Sequence, residues 1–236
     1  MKFSLILNSR KRIELLFGLL NNIIEKTSSL DDIEILINFD SDDVQSLQLM
    51  SEIRSLDHPI NNILKFEFRY RDQELIKSYN RMVSYASGEY IFVLNDDARI
   101  ETQDWDKIAY PLLKEQGDII YGRTSCNSAD HCPVTKYASF PIISKKACDV
   151  LGFFMPDVIK TLGGDVAVFR IYEKINKIVD LPINLRHLMH ETIELVFSPD
   201  DTASEMRRVT NEHLAWTYDI NKDIEKLENY IKENNV

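Results

Sequence analysis

Asn95-Asp96-Asp97 follows directly on the apolar run Tyr90-Ile91-Phe92-Val93-Leu94. A buried strand of that length delivers its last residues to the edge of a sheet. Two adjacent carboxylates there cannot both stay ionised and close without a counter-cation. Hard divalent ions accept such oxygen ligands, and Mg2+ or Mn2+ is commonly shared with substrate phosphates. The same dipeptide also suits a turn and a helix N-cap ahead of Trp105, so by itself it supports either reading. Other strand-like runs end in polar groups too: Asn8, Ser9 and Arg10; Asp40, Asp42 and Asp43; Arg69, Arg71 and Asp72.

The elements that must carry these residues alternate. Residues 3–7 form a short apolar run, and residues 13–24 repeat apolar side chains every three or four positions, which predicts a strand and then a helix. Residues 33–39 predict a second strand, and the helical spacing of Val44, Leu47, Met50 and Ile53 a second helix. Residues 63–70, 74–86 and 90–94 predict a third strand, a third helix and a fourth strand, with Ser87-Gly88 as the stop between the last two. Such alternation implies an α/β fold with a mostly parallel sheet, and ligands of such sheets bind outside the carboxyl ends of the strands.

Past Asp97 the regularity decays. Helices are expected over 105–114, 145–151 and 166–175, extended segments over 119–121, 140–143, 178–181 and 184–189, and an amphipathic terminal helix over 220–231. That helix would dock on the body or on another subunit of a homo-oligomer. The polar, aperiodic stretch 124–137 is expected to be a mobile loop. Trp105, Trp216 and Phe153-Phe154 suit the core or an acceptor wall.

Composition narrows the classes. At 236 residues, 44% of them hydrophobic, the chain suits one domain over 1–236: a nucleotide-binding half to about residue 100, an acceptor-binding half to about 200 and a terminal helical segment from about 202. A formal net charge of −10 argues against nucleic acid as partner. No apolar run suits an integral membrane segment or a signal peptide, so the expected location is cytoplasmic. Cys126, Cys132 and Cys148 have no Cys-x-x-Cys spacing and read as reduced thiols. Neither a Gly-x-x-x-x-Gly-Lys-Ser/Thr loop nor a Gly-x-Gly-x-x-Gly turn follows the first strand.

The order of motifs resembles the family 2 glycosyltransferases of the GT-A fold. The resemblance runs over residues 3–190: a strand ending near Asn8, Asp40 after the second strand, Asn80 in a helix, then Ala86-Ser87-Gly88-Glu89-Tyr90-Ile91 leading to Leu94-Asn95-Asp96-Asp97. It implies a Rossmann-like sheet with a smaller mixed acceptor-side half. It also implies that Asp97 holds Mn2+ or Mg2+ on a nucleotide diphosphate, with His187, or alternatively His190, completing the metal site. Asn95 stands where the family has its first Asp, and the ribose or a metal-bound water falls to Asn95 or Asp96. Asp40 would read the base, with an N-cap as its structural alternative. Asp165, after Gly163-Gly164, matches the family's later acidic position, a general base on the acceptor hydroxyl, and equally suits an N-cap. Asn8, Arg10, Arg71 and Asn80 join the nucleotide-sugar set; Lys77 and Arg81 fit a solvated helix face better.

The expected activity is therefore metal-dependent, inverting transfer of a sugar from a nucleotide-diphosphate sugar donor to a glycan or other hydroxyl acceptor. The alternatives are a sugar-phosphate nucleotidyltransferase, which usually has a glycine-rich first loop that residues 7–13 lack, and a catalytically inactive nucleotide- or glycan-binding protein, for which Asn95 is the motive.

Overall fold

A computed structural model describes residues 1–55, 57–69, 75–126, 137–159, 163–188 and 217–235, and the side chains of 66–69 also lie outside that description. Eight strands form one sheet in the order β3-β2-β1-β4-β7-β6-β8-β5. Strands β1 (Phe3–Ser9), β2 (Ile33–Asp40), β3 (Leu64–Arg69) and β4 (Tyr90–Val93) run parallel. Each connection between them carries helix: α1 (Ile13–Lys26), α2 (Val44–Ser55) with the single turn α3 (Ile60–Ile63), and α4 (Leu75–Tyr85).

The near-continuous apolar strands follow from burial on both faces. Along β1 and β4, Phe3, Leu5, Leu7, Tyr90 and Phe92 enter a core with α1. Ile6, Ile91 and Val93 enter the opposite core with α4. In α1 the buried positions Leu15, Leu16, Leu19, Leu20 and Ile23 keep helical spacing, which seats one stripe on the sheet.

The second half mixes directions. It comprises β5 (Ala98–Ile100), α5 (Trp105–Glu115), β6 (Tyr121–Cys126), β7 (Ile142–Ser144), α6 (Lys145–Leu151), α7 (Gly164–Lys174), β8 (Ile178–His187) and α8 (Asn221–Asn234). Pairing is antiparallel for β4 with β7, β7 with β6 and β8 with β5, and parallel for β6 with β8. The expected mostly parallel sheet thus holds for the first half, and the whole sheet is mixed.

Three expectations change. The two short strands expected over 178–181 and 184–189 are one strand, β8. Pro182 is tolerated because the β6 partners jump from Arg123–Asp180 to Ser125–Asn184, so the register shift leaves Pro182 outside the ladder. Residues 124–126 of the expected loop belong to β6, and 127–136 lie outside the described residues. Phe154 and Met155 are core: Met155 Sδ would lie 2.5 Å from a Cβ at Gly164, so any larger residue there would push Met155 aside. Trp105 is fully buried and donates from Nε1 to Thr27 Oγ1 at 3.0 Å, while Trp216 lies outside the described residues.

Terminal helix α8 docks through Leu227 and Ile224 on the α4 side of the sheet, and Tyr230 donates to Asp118 at 3.1 Å. Among the described residues, no helix is long and apolar enough to cross a membrane. Cys148 is a free, buried thiol, and Cys132 is outside the description.

Candidate active site

Leu94 N–H donates to Ile6 C=O at 3.0 Å, one residue past the paired part of β4. The chain then turns, with Ala98 N–H donating to Asn95 C=O at 2.9 Å. Asn95-Asp96-Asp97 is therefore both a turn and the mouth of the sheet. Continuing from it, β5 pairs antiparallel with β8 so that Ala98 lies opposite His187, and Leu188 N–H donates to Asp97 C=O at 2.9 Å. This ladder sets His187 Nε2 3.3 Å from Asp97 Oδ1. The imidazole packs edge-on against Phe140, with ring centroids 5.2 Å apart.

Asp96 is fully buried and Asp97 is 3% exposed. Ser9 Oγ and Arg12 Nε each donate to Asp96 Oδ2 at 3.0 Å. The Arg12 guanidinium also lies 2.5 Å from Asp96 Oδ1 and 3.3 Å from Asp97 Oδ2. One cation is forked across two buried acids. Burial, reinforced by the neighbouring Asp97 charge, pushes the Asp96 carboxyl up to about 7 against the pull of Arg12. Burial acts the same way on Asp97, yet His187 and Arg12 outweigh it and hold that carboxyl below its ordinary range. Burial opposes the Arg12 charge as well, but the two carboxylates hold the guanidinium above its usual value.

The other predicted residues divide into those beside this cluster and those apart from it. Asn8 Oδ1 accepts from Asn38 Nδ2 at 2.9 Å and from Ser78 Oγ at 2.5 Å, and Asn8 Nδ2 is buried without a hydrogen-bond partner. Tyr79 donates its hydroxyl to Asn95 Oδ1 at 3.0 Å, and burial pushes that phenol up to about 12. Arg10 joins Asp40, Nε to Oδ2 at 3.3 Å, and Asp42 at 2.7 Å. The N-cap alternative falls to Asp43, whose carboxylate accepts from Ser46 N–H at 3.1 Å at the start of α2.

Asn80, expected in the nucleotide set, bonds to the loop at residues 154–157. Its Oδ1 accepts from the Phe154 and Met155 amides at 2.8 and 2.9 Å, and its Nδ2 donates to Met155 C=O at 2.7 Å and to Asp157 Oδ1 at 2.5 Å. With both ends of the amide taken, it positions a loop. Asp165 stands in the first turn of α7, after the left-handed Gly163, and its Oδ1 accepts from Val166 N–H at 2.9 Å. Burial raises its carboxyl above the ordinary value. Among the described residues no hydrogen bond or ion pair joins Asp165 to Asp96 and Asp97. Arg71 and His190 lie outside the described residues.

Arg12 was not among the residues singled out in the sequence, where Arg10 was. In extended backbone, residues two apart share a face, so Arg10 and Arg12 would point together. Lys11 breaks this with φ 55°, a left-handed conformation secured by its N–H donating to Asp43 Oδ2 at 2.6 Å. The two arginines therefore serve different acids. The only sequence signal was a second arginine, the third cation in a row past the first strand end.

The donor set suits a hard divalent ion. Asp96 Oδ1 and Asp97 Oδ1 are buried oxygens whose neighbours are cationic or ionisable groups, the Arg12 guanidinium at 2.5 Å and His187 Nε2 at 3.3 Å. Among the described residues no three His, Cys, Asp or Glu side chains converge as a ready-made metal cluster.

A family model described as Glycosyl transferase family 2 matches residues 4–147, more than half of the chain. No curated protein matches the sequence. Among solved structures, S. aureus TarS in complex with UDP-GlcNAc is similar at 17% identity and a TM-score of 0.66, over 91% of this chain and 69% of that one. Another TarS structure aligns at 15% identity and a TM-score of 0.65, and there the chain spans only 44% of its length. The mannosyltransferase PcManGT from Pyrobaculum calidifontis, in complex with GDP-Man and Mn2+, is similar at 12% identity and a TM-score of 0.62, over 81% of this chain and 58% of that one. At such identities the likeness is one of fold.

Proposed function

The chain belongs to glycosyl transferase family 2, and from that premise we propose that it transfers a sugar from a nucleotide-diphosphate donor to a hydroxyl acceptor at the strand ends around Asp96, Asp97 and His187. The observation that carries the proposal is the pair of adjacent buried carboxylates at the sheet mouth, with His187 against the second. UDP-GlcNAc in TarS and GDP-Man with Mn2+ in PcManGT support a nucleotide sugar and a divalent ion as the ligands. The family match also favours glycosyl over nucleotidyl transfer.

In this reading Asp97 and His187 would hold Mn2+ or Mg2+, with Asp96 beside them. Such an ion, when bound, would offset the charge that develops on the departing diphosphate. Asp40 and Arg10 form the wall at the end of β2, where a base edge finds an acceptor. Asn8 offers its unpartnered Nδ2 to the donor. Asp165 takes the proton of the acceptor hydroxyl while its oxygen bonds to the anomeric carbon; the bond to the diphosphate oxygen breaks, and the nucleotide leaves with that electron pair. A single displacement of this kind inverts the anomeric centre.

The test is the thermal midpoint with UDP, GDP, CMP and TDP, each with and without Mn2+. A ligand at about 100 times its dissociation constant adds roughly 2.7 kcal/mol. One nucleotide is expected to raise the midpoint, with an increment that needs Mn2+ and disappears in Asp97→Ala. If no nucleotide moves the midpoint in either condition, there is no donor site here.

A further inference from the structure

Arg12 is a strong cation at the strand ends to which the donor-site reading gives no task. Arg12 touches both Asp96 and Asp97, while its side chain remains 27% exposed against 0% and 4% for the two acids. Of the three side chains it is therefore the one that reaches solvent. Its backbone is fixed for this position, since Lys11 is locked left-handed by Asp43 and α1 begins at the next residue, Ile13. Only the side chain is free to change partners.

A guanidinium and a divalent cation at the same carboxylates repel each other strongly in a site shielded from water. A free ion must therefore displace Arg12 and leave it unpaired, which offsets much of what the ion gains. A nucleotide diphosphate changes the balance. It brings ligands for the ion, and its phosphate oxygens accept the planar fork of a guanidinium at least as well as a carboxylate does.

Resting on the donor-site reading above, we propose that Arg12 is the resident counter-cation of the Asp96–Asp97 pair and gates the metal, holding off free divalent ions and passing to the diphosphate when donor and metal enter together. Metal and nucleotide are thereby coupled, each raising the other's affinity by the same factor.

The experiment titrates Mn2+ alone, without nucleotide, into the full chain and reads free Mn2+ by electron paramagnetic resonance. Arg12→Gln is expected to bind Mn2+ on the order of tenfold or more tighter than the unaltered chain, because the competing charge is gone. Arg12→Lys, which keeps the charge, is expected to stay close to the unaltered chain. Because Arg12→Gln strands two buried acids and risks misfolding, the charge-balanced double variant Arg12→Gln with Asp96→Asn is compared with Asp96→Asn alone, and the double variant is expected to bind more tightly. Unchanged or weaker Mn2+ binding on removal of Arg12 in both backgrounds overturns the proposal. Nucleotide-dependent thermal midpoints on the same samples separate the failures. If they persist, only the gate is lost; if they vanish from the unaltered chain, the donor site falls as well.

Discussion

The proposed base, Asp165, has a chemistry set by its surroundings. Burial raises its carboxyl, and a base with a higher pKa takes a proton from an alcohol more readily. Its active form is the ionised one, so transfer is expected to decline as pH falls through that raised value, at a higher pH than for an ordinary carboxylate near 3.9. A pH profile of kcat measures this. Asp165→Asn is expected to keep the nucleotide-dependent midpoint while transfer drops by about 10^2 to 10^4-fold; a variant that transfers at full rate removes Asp165 as the base. At this scale the sequence was informative where spacing follows from a strand end. Asp96 and Asp97 fall where the run 90–94 stops, whereas the reach of Arg12 to them depends on a single left-handed residue that no periodicity encodes.

The elements show how positioning is shared. Asn80 on α4 holds residues 154–157 through four hydrogen bonds, and Met155 in that loop packs on Gly164 at the head of α7, the residue before Asp165. Asn80→Ala strands the Phe154 and Met155 amides, and the expected cost is about 2–3 kcal/mol. Amide exchange at those residues should quicken, and kcat should fall more than nucleotide affinity. Equal losses in both would place Asn80 in the donor site instead. Strands β1, β2 and β4 were legible because burial on both faces leaves near-continuous apolar runs, and β3 because Leu64, Phe66 and Phe68 alternate with charged residues. β5 was not, being three residues long with Arg99 in its middle, and β8 was split by a proline that only the register shift of its partner explains.

Across the molecule the parallel strands are clasped at the end away from this site. Glu34, at the start of β2, accepts from Ser4 Oγ at 2.6 Å and from Ser87 N–H at 2.5 Å, and pairs with Lys65 on β3. Burial opposes its charge, yet these partners hold the carboxyl below its ordinary range. The sign follows: a depressed folded pKa contributes stability above the unfolded value, and that stability is lost as pH falls through the folded one. Glu34→Gln is expected to cost about 1–3 kcal/mol at neutral pH and progressively less in acid below about pH 4, as read by denaturant midpoints. Equal losses at every pH would mean that packing, not charge, is what Glu34 provides. The ladder that sets Ala98 opposite His187 has a consequence in time. Synthesis runs from the N-terminus, so Arg12 exists before the carboxylates emerge, while His187 is made much later, on the last strand described. The acids thus have a countercharge within their own half of the chain from the moment they are made, and the imidazole joins a pair that has never had to wait for it.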